Sequence, residues 1–277
     1  MHSRLGFMQG RLSPVVDSKI QAFPTEFWRD EFSVAQRNGL SLMEWTIDHS
    51  GFGDNPLLTR MGRGEIRDLM QRHGLRIDSV TADNMMQAPF WKAAGGRRIE
   101  LLDMLESLIK ACGEIGVGTI VVPLVDNGAL HNAEQEASLF DGLQSMLPVL
   151  LDANVRIAFE SDFEPGSLAK FIASYKAKVF GVNYDMGNSA SLGWSPEKEI
   201  TLLGDRIINV HVKDRRFSGP TVPFGEGAVD FRTVFQLLNQ VGYEKNFIIQ
   251  GARALDNDHS GTLRRYCSIV GEFLHEK

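Results

Sequence analysis

The chain is poor in cysteine. Its 277 residues include two, Cys112 and Cys267, and neither belongs to a CxxC pair or to another spacing typical of a zinc site. Both lie in amphipathic segments with a helical pattern, which favours buried free thiols over a disulfide. The absence of a disulfide framework fits a reducing compartment, so we expect a cytoplasmic protein.

Basic charge and long apolar segments are also scarce. The net charge is −6 and the isoelectric point is about 5.7, whereas a nucleic-acid-binding surface is usually basic. We therefore expect no nucleic-acid partner, although a few local arginines or lysines can still hold a small anion. No apolar run approaches the ~18–20 residues that cross a bilayer, and the amino terminus lacks the apolar stretch of a signal peptide. We expect no membrane partner either.

No linker rich in proline, glycine or serine divides the chain, and no GxGxxG motif follows the first apolar run. The missing glycine motif disfavours an open dinucleotide-binding sheet. With 43% hydrophobic residues, the chain can build one large core, and barrels of ~200–250 residues or more commonly form one domain. The sequence therefore predicts a single domain over residues 1–277.

Short apolar runs alternate with helical patterns along the whole chain. Eight strands are predicted, at residues 5–9, 42–45, 77–81, 119–123, 156–160, 180–184, 207–212 and 247–250. Eight segments with apolar residues at i, i+3 and i+4 follow them, at residues 26–38, 63–73, 97–115, 132–153, 166–176, 196–203, 231–241 and 260–274. Gly39, Gly74, Gly116 and Gly242 each end a helical pattern, as a residue in the left-handed conformation does. Eight strand–helix units predict an α/β protein with a closed parallel (β/α)8 barrel.

Polar side chains end the four predicted strands in the second half of the chain. They are Glu160, Asp185, His211 and Gln250, separated by 25, 26 and 39 residues. The carboxyl ends of barrel strands share one mouth, where the chemistry of such barrels takes place. A lone acidic residue after a strand is often a helix N-cap, but buried carboxylates brought together need a cation or hydrogen-bonded partners. We predict a divalent metal site with these four ligands. The donor set suits Mn, Mg, Co or Zn, with Mn slightly favoured.

Other polar residues at the same mouth are candidates for catalysis and substrate binding. Glu44 and Asp83 end or follow earlier strands and join Glu160 as candidate acids or bases. The candidate substrate-binding residues lie at a strand end or in the loops that follow strands: Gln9, Arg11, Lys213, Arg215 and Arg253. Their basic members suit substrate oxygens or a phosphate. The alternative for the basic residues is a solvated run of charge.

Several segments resemble the xylose isomerase-like TIM barrel superfamily, and within it the sugar phosphate isomerase/epimerase group. They are Met8-Gln-Gly-Arg-Leu-Ser, Glu44-Trp, Phe159-Glu160, Asn183-Tyr-Asp-Met-Gly187, Asn209-Val-His-Val-Lys-Asp214 and Gly225-Glu-Gly-Ala-Val-Asp-Phe231. The resemblance spans nearly the whole chain. It implies a TIM barrel, a divalent metal ion held by Glu, Asp, His and Glu, and a sugar or sugar phosphate as substrate. It is also compatible with a homodimer or homotetramer.

Gln250 departs from this pattern, because it stands where the resemblance implies the second glutamate. In the keto-sugar epimerases of the family, two metal-bound glutamates exchange protons with a substrate carbon through an enediolate, and an amide exchanges no proton at neutral pH. Three hypotheses follow: an isomerase or related enolising enzyme with Glu160 as its single base, an epimerase that recruits Glu44 or Asp83, or a weakly catalytic or non-catalytic sugar-binding relative. Dehydratases belong to the same superfamily. Its endonuclease branch uses more histidines than this chain offers at strand ends.

Overall fold

A computed structural model describes residues 2–275, and eight parallel strands in it close into a barrel. The strands are β1 (Leu5–Met8), β2 (Leu42–Thr46), β3 (Arg76–Thr81), β4 (Thr119–Leu124), β5 (Arg156–Ser161), β6 (Phe180–Asp185), β7 (Ile207–Val212) and β8 (Phe247–Ile249). Each strand pairs with its neighbours in sequence, and β8 pairs with β1 to close the ring. Every predicted strand overlaps one of them. The predicted (β/α)8 barrel is therefore confirmed.

Helices surround the barrel and return the chain between strands. Residues 2–275 contain α1 (Trp28–Arg37), α2 (Arg60–His73), α3 (Asp83–Gln87), α4 (Gly95–Ile115), α5 (Ala133–Ser145), α6 (Leu147–Ala153), α7 (Pro165–Ala173), α8 (Met186–Leu192), α9 (Pro196–Leu203), α10 (Phe231–Gln240) and α11 (His259–His275). The short helices α3 and α8, which follow β3 and β6 almost directly, were not predicted. None of the helices in these residues is long and apolar enough to cross a membrane.

One helix prediction was wrong, because the predicted segment 132–153 forms two helices. Helix α5 ends at Ser145, and α6 begins at Leu147 with Pro148 in its first turn. Proline has no N–H to donate and crowds the preceding turn, so it is favoured where a helix begins and disfavoured inside one. The predicted glycine helix ends are confirmed, since Gly39, Gly74, Gly116 and Gly242 all have positive φ angles between 61° and 82°.

The apolar core has an inner and an outer part. Inside the barrel, Met8, Leu42 and Ile248 form one small cluster, and a second one consists of Val121, Ala158 and Ile208. Gly6 makes room for the first cluster, because a Cβ there would lie 2.6 Å from Leu42 Cγ. A much larger cluster fills the space between strands and helices. Both cysteines are buried and free, as predicted.

The strand register brings polar residues together at the carboxyl end of the barrel. Asp185 on β6 pairs with His211 on β7, and Pro123 on β4 pairs with Glu160 on β5. The register shifts at Val182/Asn183 on β6. Such irregularities re-aim side chains and are frequent next to active sites.

The loop after β7 is organised by one buried carboxylate. Residues Asp214–Arg215 pair with Thr221–Val222 in a short antiparallel hairpin. The side chain of Asp214 accepts hydrogen bonds from the backbone N–H groups of Gly225, Gly227 and Val229, at 2.8, 3.0 and 3.2 Å. The Gly-Glu-Gly segment therefore folds around Asp214.

Candidate metal centre and active-site cavity

Glu160, Asp185 and His211 converge at the carboxyl end of the barrel. All three are buried, and one potential ligand atom from each lies within 4.8 Å of the other two. Nδ1 of His211 is 3.0 Å from Oε2 of Glu160 and 4.0 Å from Oδ2 of Asp185. They are the one group of three or more such side chains in residues 2–275 whose geometry suits a metal ion.

Glu44 is hydrogen-bonded to the ring nitrogen of His211 that lies opposite the two other carboxylates. It is fully buried on β2, and its Oε1 lies 2.7 Å from Nε2 of His211. Its Oε2 accepts hydrogen bonds from the hydroxyl of Ser79 at 2.6 Å and from the amide of Asn209 at 2.9 Å. Glu44 does not line the cavity above the barrel. This position suits a group that orients His211 and does not suit an acid or base that touches substrate.

Three asparagines, none of them predicted as site residues, hold the carboxylates in place. Asn183 and Asn188 donate to the two oxygens of Glu160, each at 2.8 Å. Asn209 links Asn183 to Glu44. Asn183 and Asn209 each lie two residues before a candidate ligand on the same strand, and side chains two apart on a strand share a face. The spacing of two residues from Asp185 and His211 is the sequence signal that could have identified Asn183 and Asn209.

The pKa values of the three groups reflect burial and mutual charge. Burial lowers the pKa of His211, but the carboxylates of Glu44 and Glu160 outweigh it and raise the pKa to about 10. Burial raises the pKa of Glu160, but His211 and the charge of Lys213 bring it below its ordinary value. The pKa of Asp185 is raised, mainly by burial and partly by the negative charge of Glu160. The positive charge of His211 therefore offsets much of the repulsion between the neighbouring carboxylates.

The donor set fits a divalent cation. Nδ1 of His211 is buried without a hydrogen-bond partner, because the nearby Glu160 oxygen is poorly aligned with it. With Nε2 donating its proton to Glu44, a cation held by the two carboxylates would take the place of the proton on Nδ1. A metal-binding histidine typically donates its other ring N–H to a carboxylate in this way. The Glu160, Asp185 and His211 side chains therefore supply a buried group that could bind a metal ion.

Gln250 directly follows β8, and Lys213 connects its side chain to the candidate metal group. Its Oε1 lies 3.3 Å from Nζ of Lys213, which is also 3.3 Å from Oδ2 of Asp185. The ammonium group of Lys213 thus bridges the amide oxygen and a carboxylate. Gln250 as the fourth ligand and Lys213 as a substrate-binding residue stay predictions.

A cavity of about 810 Å³ opens above the candidate metal group. Glu160, Lys213 and Gln250 are in its wall together with Arg11 and Arg215. It also contains acidic residues that were not predicted, Asp126 and Asp162. Its volume falls in the range of small-molecule sites, which is roughly 300–1,000 Å³.

Asp83 lines this cavity at the start of α3 and is 7% exposed. Its Oδ1 accepts a hydrogen bond from the hydroxyl of Thr81 at 3.1 Å. Burial raises its pKa to about 7, and the negative charges of Asp48 and Glu160 add to the rise. A carboxyl group with a pKa near 7 suits proton transfer at neutral pH.

Two other predicted substrate-binding residues lie away from the cavity wall. Gln9 is fully buried, and its Oε1 accepts from the backbone N–H of Thr46 at 3.0 Å. Arg253 borders a separate depression and donates to the backbone carbonyls of Gly10 and Ser13. Gln9 thus binds the end of β2, and Arg253 holds the loop that follows β1.

Comparison with known proteins agrees with the barrel fold. Residues 32–260 match the family model described as xylose isomerase-like TIM barrel. A putative L-ribulose-5-phosphate 3-epimerase of Haemophilus influenzae is 26% identical over 241 residues, which cover 80% of this chain and 83% of the relative. The structure of D-allulose 3-epimerase from Methylomonas sp. with D-allulose superposes with a TM-score of 0.75 at 16% identity, over 98% of both chains.

The IOLI protein, whose structure contains a zinc atom, superposes with a TM-score of 0.75 at 15% identity, covering 98% of this chain and 99% of that one. At these identities the structural likenesses show the fold alone, whereas the family model covers most of the chain. The chain belongs to the xylose isomerase-like TIM barrel family.

Proposed function

We propose that this protein is a metal-dependent isomerase or epimerase that acts on a small sugar or sugar phosphate. The observation that carries the proposal is the buried group of Glu160, Asp185 and His211 at the floor of a cavity of about 810 Å³. The names of the relatives, L-ribulose-5-phosphate 3-epimerase and D-allulose 3-epimerase, support the same reaction class.

Glu160 is the proposed base that removes a proton next to the substrate carbonyl. Both of its oxygens accept amide hydrogen bonds, from Asn183 and Asn188, which fix the carboxylate and favour its ionised form. A divalent ion bound by Glu160, Asp185 and His211 would polarise the carbonyl and stabilise the charge of an enediolate. Glu44 would keep the Nδ1 of His211 directed at the ion.

Gln250 makes a symmetrical exchange between two glutamates impossible, since an amide takes up no proton at neutral pH. An isomerase needs no second carboxylate on the opposite face. An epimerase needs another acid, and we propose Asp83 for that role. Asp83 is in the cavity wall, whereas Glu44 lies beneath His211 and is saturated by three hydrogen-bonding neighbours.

Metal analysis and solvent exchange test the proposal. Protein purified without chelator should contain about one divalent ion per chain. Glu160→Ala and His211→Ala should lose it, while the control His73→Ala on the surface of α2 should retain it. The metal-loaded enzyme should incorporate deuterium from D2O at a carbon next to the carbonyl of a ketose. Protein without an ion, or ion content unaffected by both site variants, would contradict the proposed metal site.

Gln250 also favours a second candidate, a sugar-binding protein with little or no catalysis. Such a protein would bind ketoses in the same cavity but would exchange no deuterium, however tightly the sugar bound. Calorimetric binding combined with the exchange measurement separates the two functions.

A further inference from the structure

The side-chain amide of Asn188 lies between a candidate metal ligand and a guanidinium group. Its Nδ2 donates to Oε1 of Glu160 at 2.8 Å, and its Oδ1 accepts from Nη1 of Arg215 at 2.9 Å. An ionised carboxylate only accepts hydrogen bonds and a guanidinium only donates them, so a single orientation of the amide satisfies both neighbours. Arg215 and Glu160 together therefore fix which end of the Asn188 side chain faces the candidate metal group.

Asn188 also contacts a second candidate ligand, through its backbone. It lies in α8, and its N–H donates to Oδ1 of Asp185 at 2.8 Å, so that this carboxylate caps the start of the helix. Asn188 is 8% exposed, and hydrogen bonds in such surroundings are stronger than in water. A displacement of Asn188 would therefore disturb two of the three side chains that could hold a metal ion.

Arg215 is fixed by its own hairpin. Three of its five N–H groups are bound by the protein, because Nε and Nη2 both donate to the carbonyl of Gly219, at 3.1 and 2.8 Å, in addition to the bond from Nη1. Gly219 lies in the turn of the hairpin after β7, in which Arg215 pairs with Thr221. A planar guanidinium is preorganised, so it loses little freedom for each hydrogen bond that it forms. The bonds to Gly219 thus direct Nη1 at Asn188.

A second contact joins the same hairpin to α8. The backbone N–H of Ser218 donates to the carbonyl of Ser191 at 2.8 Å. Ser218 follows Arg215 by three residues, and Ser191 follows Asn188 by three residues, which is close to one turn of the helix. The hairpin is therefore docked on α8 at two points, which fixes the position of Arg215 relative to the candidate metal group.

We propose that Arg215 is a positioning residue, which holds Glu160 in the orientation that binds a divalent ion by fixing the amide of Asn188. The contacts run from guanidinium to amide to carboxylate, with hydrogen bonds of 2.9 and 2.8 Å. This inference rests on the proposed function, in which Glu160 is both a metal ligand and the base. It assigns Arg215 to the metal site, whereas the sequence predicted a contact with substrate.

A double-mutant cycle on metal affinity tests the inference without any sugar. Mn²⁺ is titrated calorimetrically into the metal-free wild type, Asn188→Ala, Arg215→Met and the double variant. Outer partners of metal ligands typically contribute about 10- to 100-fold to affinity, so Asn188→Ala should weaken binding at least about tenfold. Loss of a positive charge near the site strengthens cation binding, and Arg215→Met in the Asn188→Ala background measures that effect alone. Relative to this background, Arg215→Met should weaken binding at least about threefold when Asn188 is present.

Arg206→Met is the matched control. Arg206 also binds backbone carbonyls, three of them through Nη2, but it directly precedes β7 and so lies at the other end of the barrel. The control should lower the midpoint of thermal unfolding and leave the Mn²⁺ affinity unchanged. Should Asn188→Ala fail to fold, Asn188→Ser takes its place in the cycle, because the single short hydroxyl of serine does not reach both neighbours of the amide.

The outcomes separate this inference from the proposed function. Coupling of at least about threefold between the two substitutions supports the inference, even where no ketose exchanges deuterium and the proposed reaction fails. Additive effects, with Mn²⁺ bound by the wild type and lost in Glu160→Ala, overturn the inference while the proposed function stands. A KM for the ketose that rises in Arg215→Met would then indicate a contact with substrate. A wild type that binds no Mn²⁺ overturns both proposals.

Discussion

Replacing Glu44 by glutamine tests whether this residue orients His211 towards a metal ion. Oε1 of Glu44 lies 2.7 Å from Nε2 of the histidine, and Oε2 accepts from Ser79 and Asn209 at 2.6 and 2.9 Å. Glutamine keeps the shape of the side chain but replaces one acceptor by an NH2 group, which only donates. Whichever way the amide turns, at least one buried donor loses its acceptor.

Two magnitudes follow from this geometry. A buried donor without an acceptor costs about 1–3 kcal/mol, so we expect the free energy of unfolding of the metal-free protein to fall by that amount. Outer partners of a metal-binding histidine typically contribute about 10- to 100-fold to metal affinity. We therefore expect Glu44→Gln to weaken metal binding by about that factor.

Calorimetric titration of the metal-free protein with Mn²⁺ or Zn²⁺ measures the affinity, and urea unfolding in the presence of chelator measures the stability. Glu31→Gln is the matched control. Glu31 is also fully buried and accepts hydrogen bonds from the backbone of Gly10 and Leu12, but it lies outside the candidate metal group. The control should lose stability and keep its metal affinity. Unchanged affinity in Glu44→Gln, or an equal loss in both variants, would refute the orienting role.

Three further predictions concern the fourth ligand, a buried carboxyl group and the loop after β7. Gln250→Glu should tighten metal binding at least about tenfold in the same titration, since it adds a negative charge beside the cation; unchanged affinity and activity would mean that the amide is not at the metal. Burial raises the pKa of Glu199 to about 7, whereas in the unfolded chain it ionises near 4.5, so its contribution to stability falls as the pH rises between these values. Glu199→Gln should therefore gain about 1–3 kcal/mol over the wild type between about pH 5 and about pH 8 in urea unfolding, and a constant difference would contradict this. Gly227→Ala should destabilise the protein by about 1–3 kcal/mol, because its Cβ would lie 2.0 Å from Oδ1 of Asp214; Gly118→Ala, with no atom within 4 Å of its Cβ, is the control in thermal unfolding.

The barrel is predictable from local patterns, because strand and helix periodicities depend on neighbouring residues. The four glycines that end helices show this, since a left-handed residue is recognisable within a few positions. Helix α6 was missed although its signal is also local, because Pro148 lies in its first turn. Asn183 and Asn209 were missed although each precedes a candidate ligand by two residues.

The basic residues illustrate what local patterns do not contain. Arg253 donates to Gly10, 243 residues away in sequence, and Arg11 donates to Gly251 at a separation of 240. Both were predicted to bind substrate because each follows a predicted strand end. The direction of a guanidinium group depends on which backbone carbonyls a distant loop brings to it, and the closure of β8 against β1 decides that.

The sequence by itself determined the (β/α)8 barrel and the common mouth for Glu160, Asp185 and His211, because parallel strands in a barrel bring their carboxyl ends together whatever the loops do. The tertiary structure alone decided that Glu44 lies beneath His211 and that the arginines bind the protein's own carbonyls. These properties depend on side-chain direction and on contacts between residues far apart in sequence, which form only when the barrel closes.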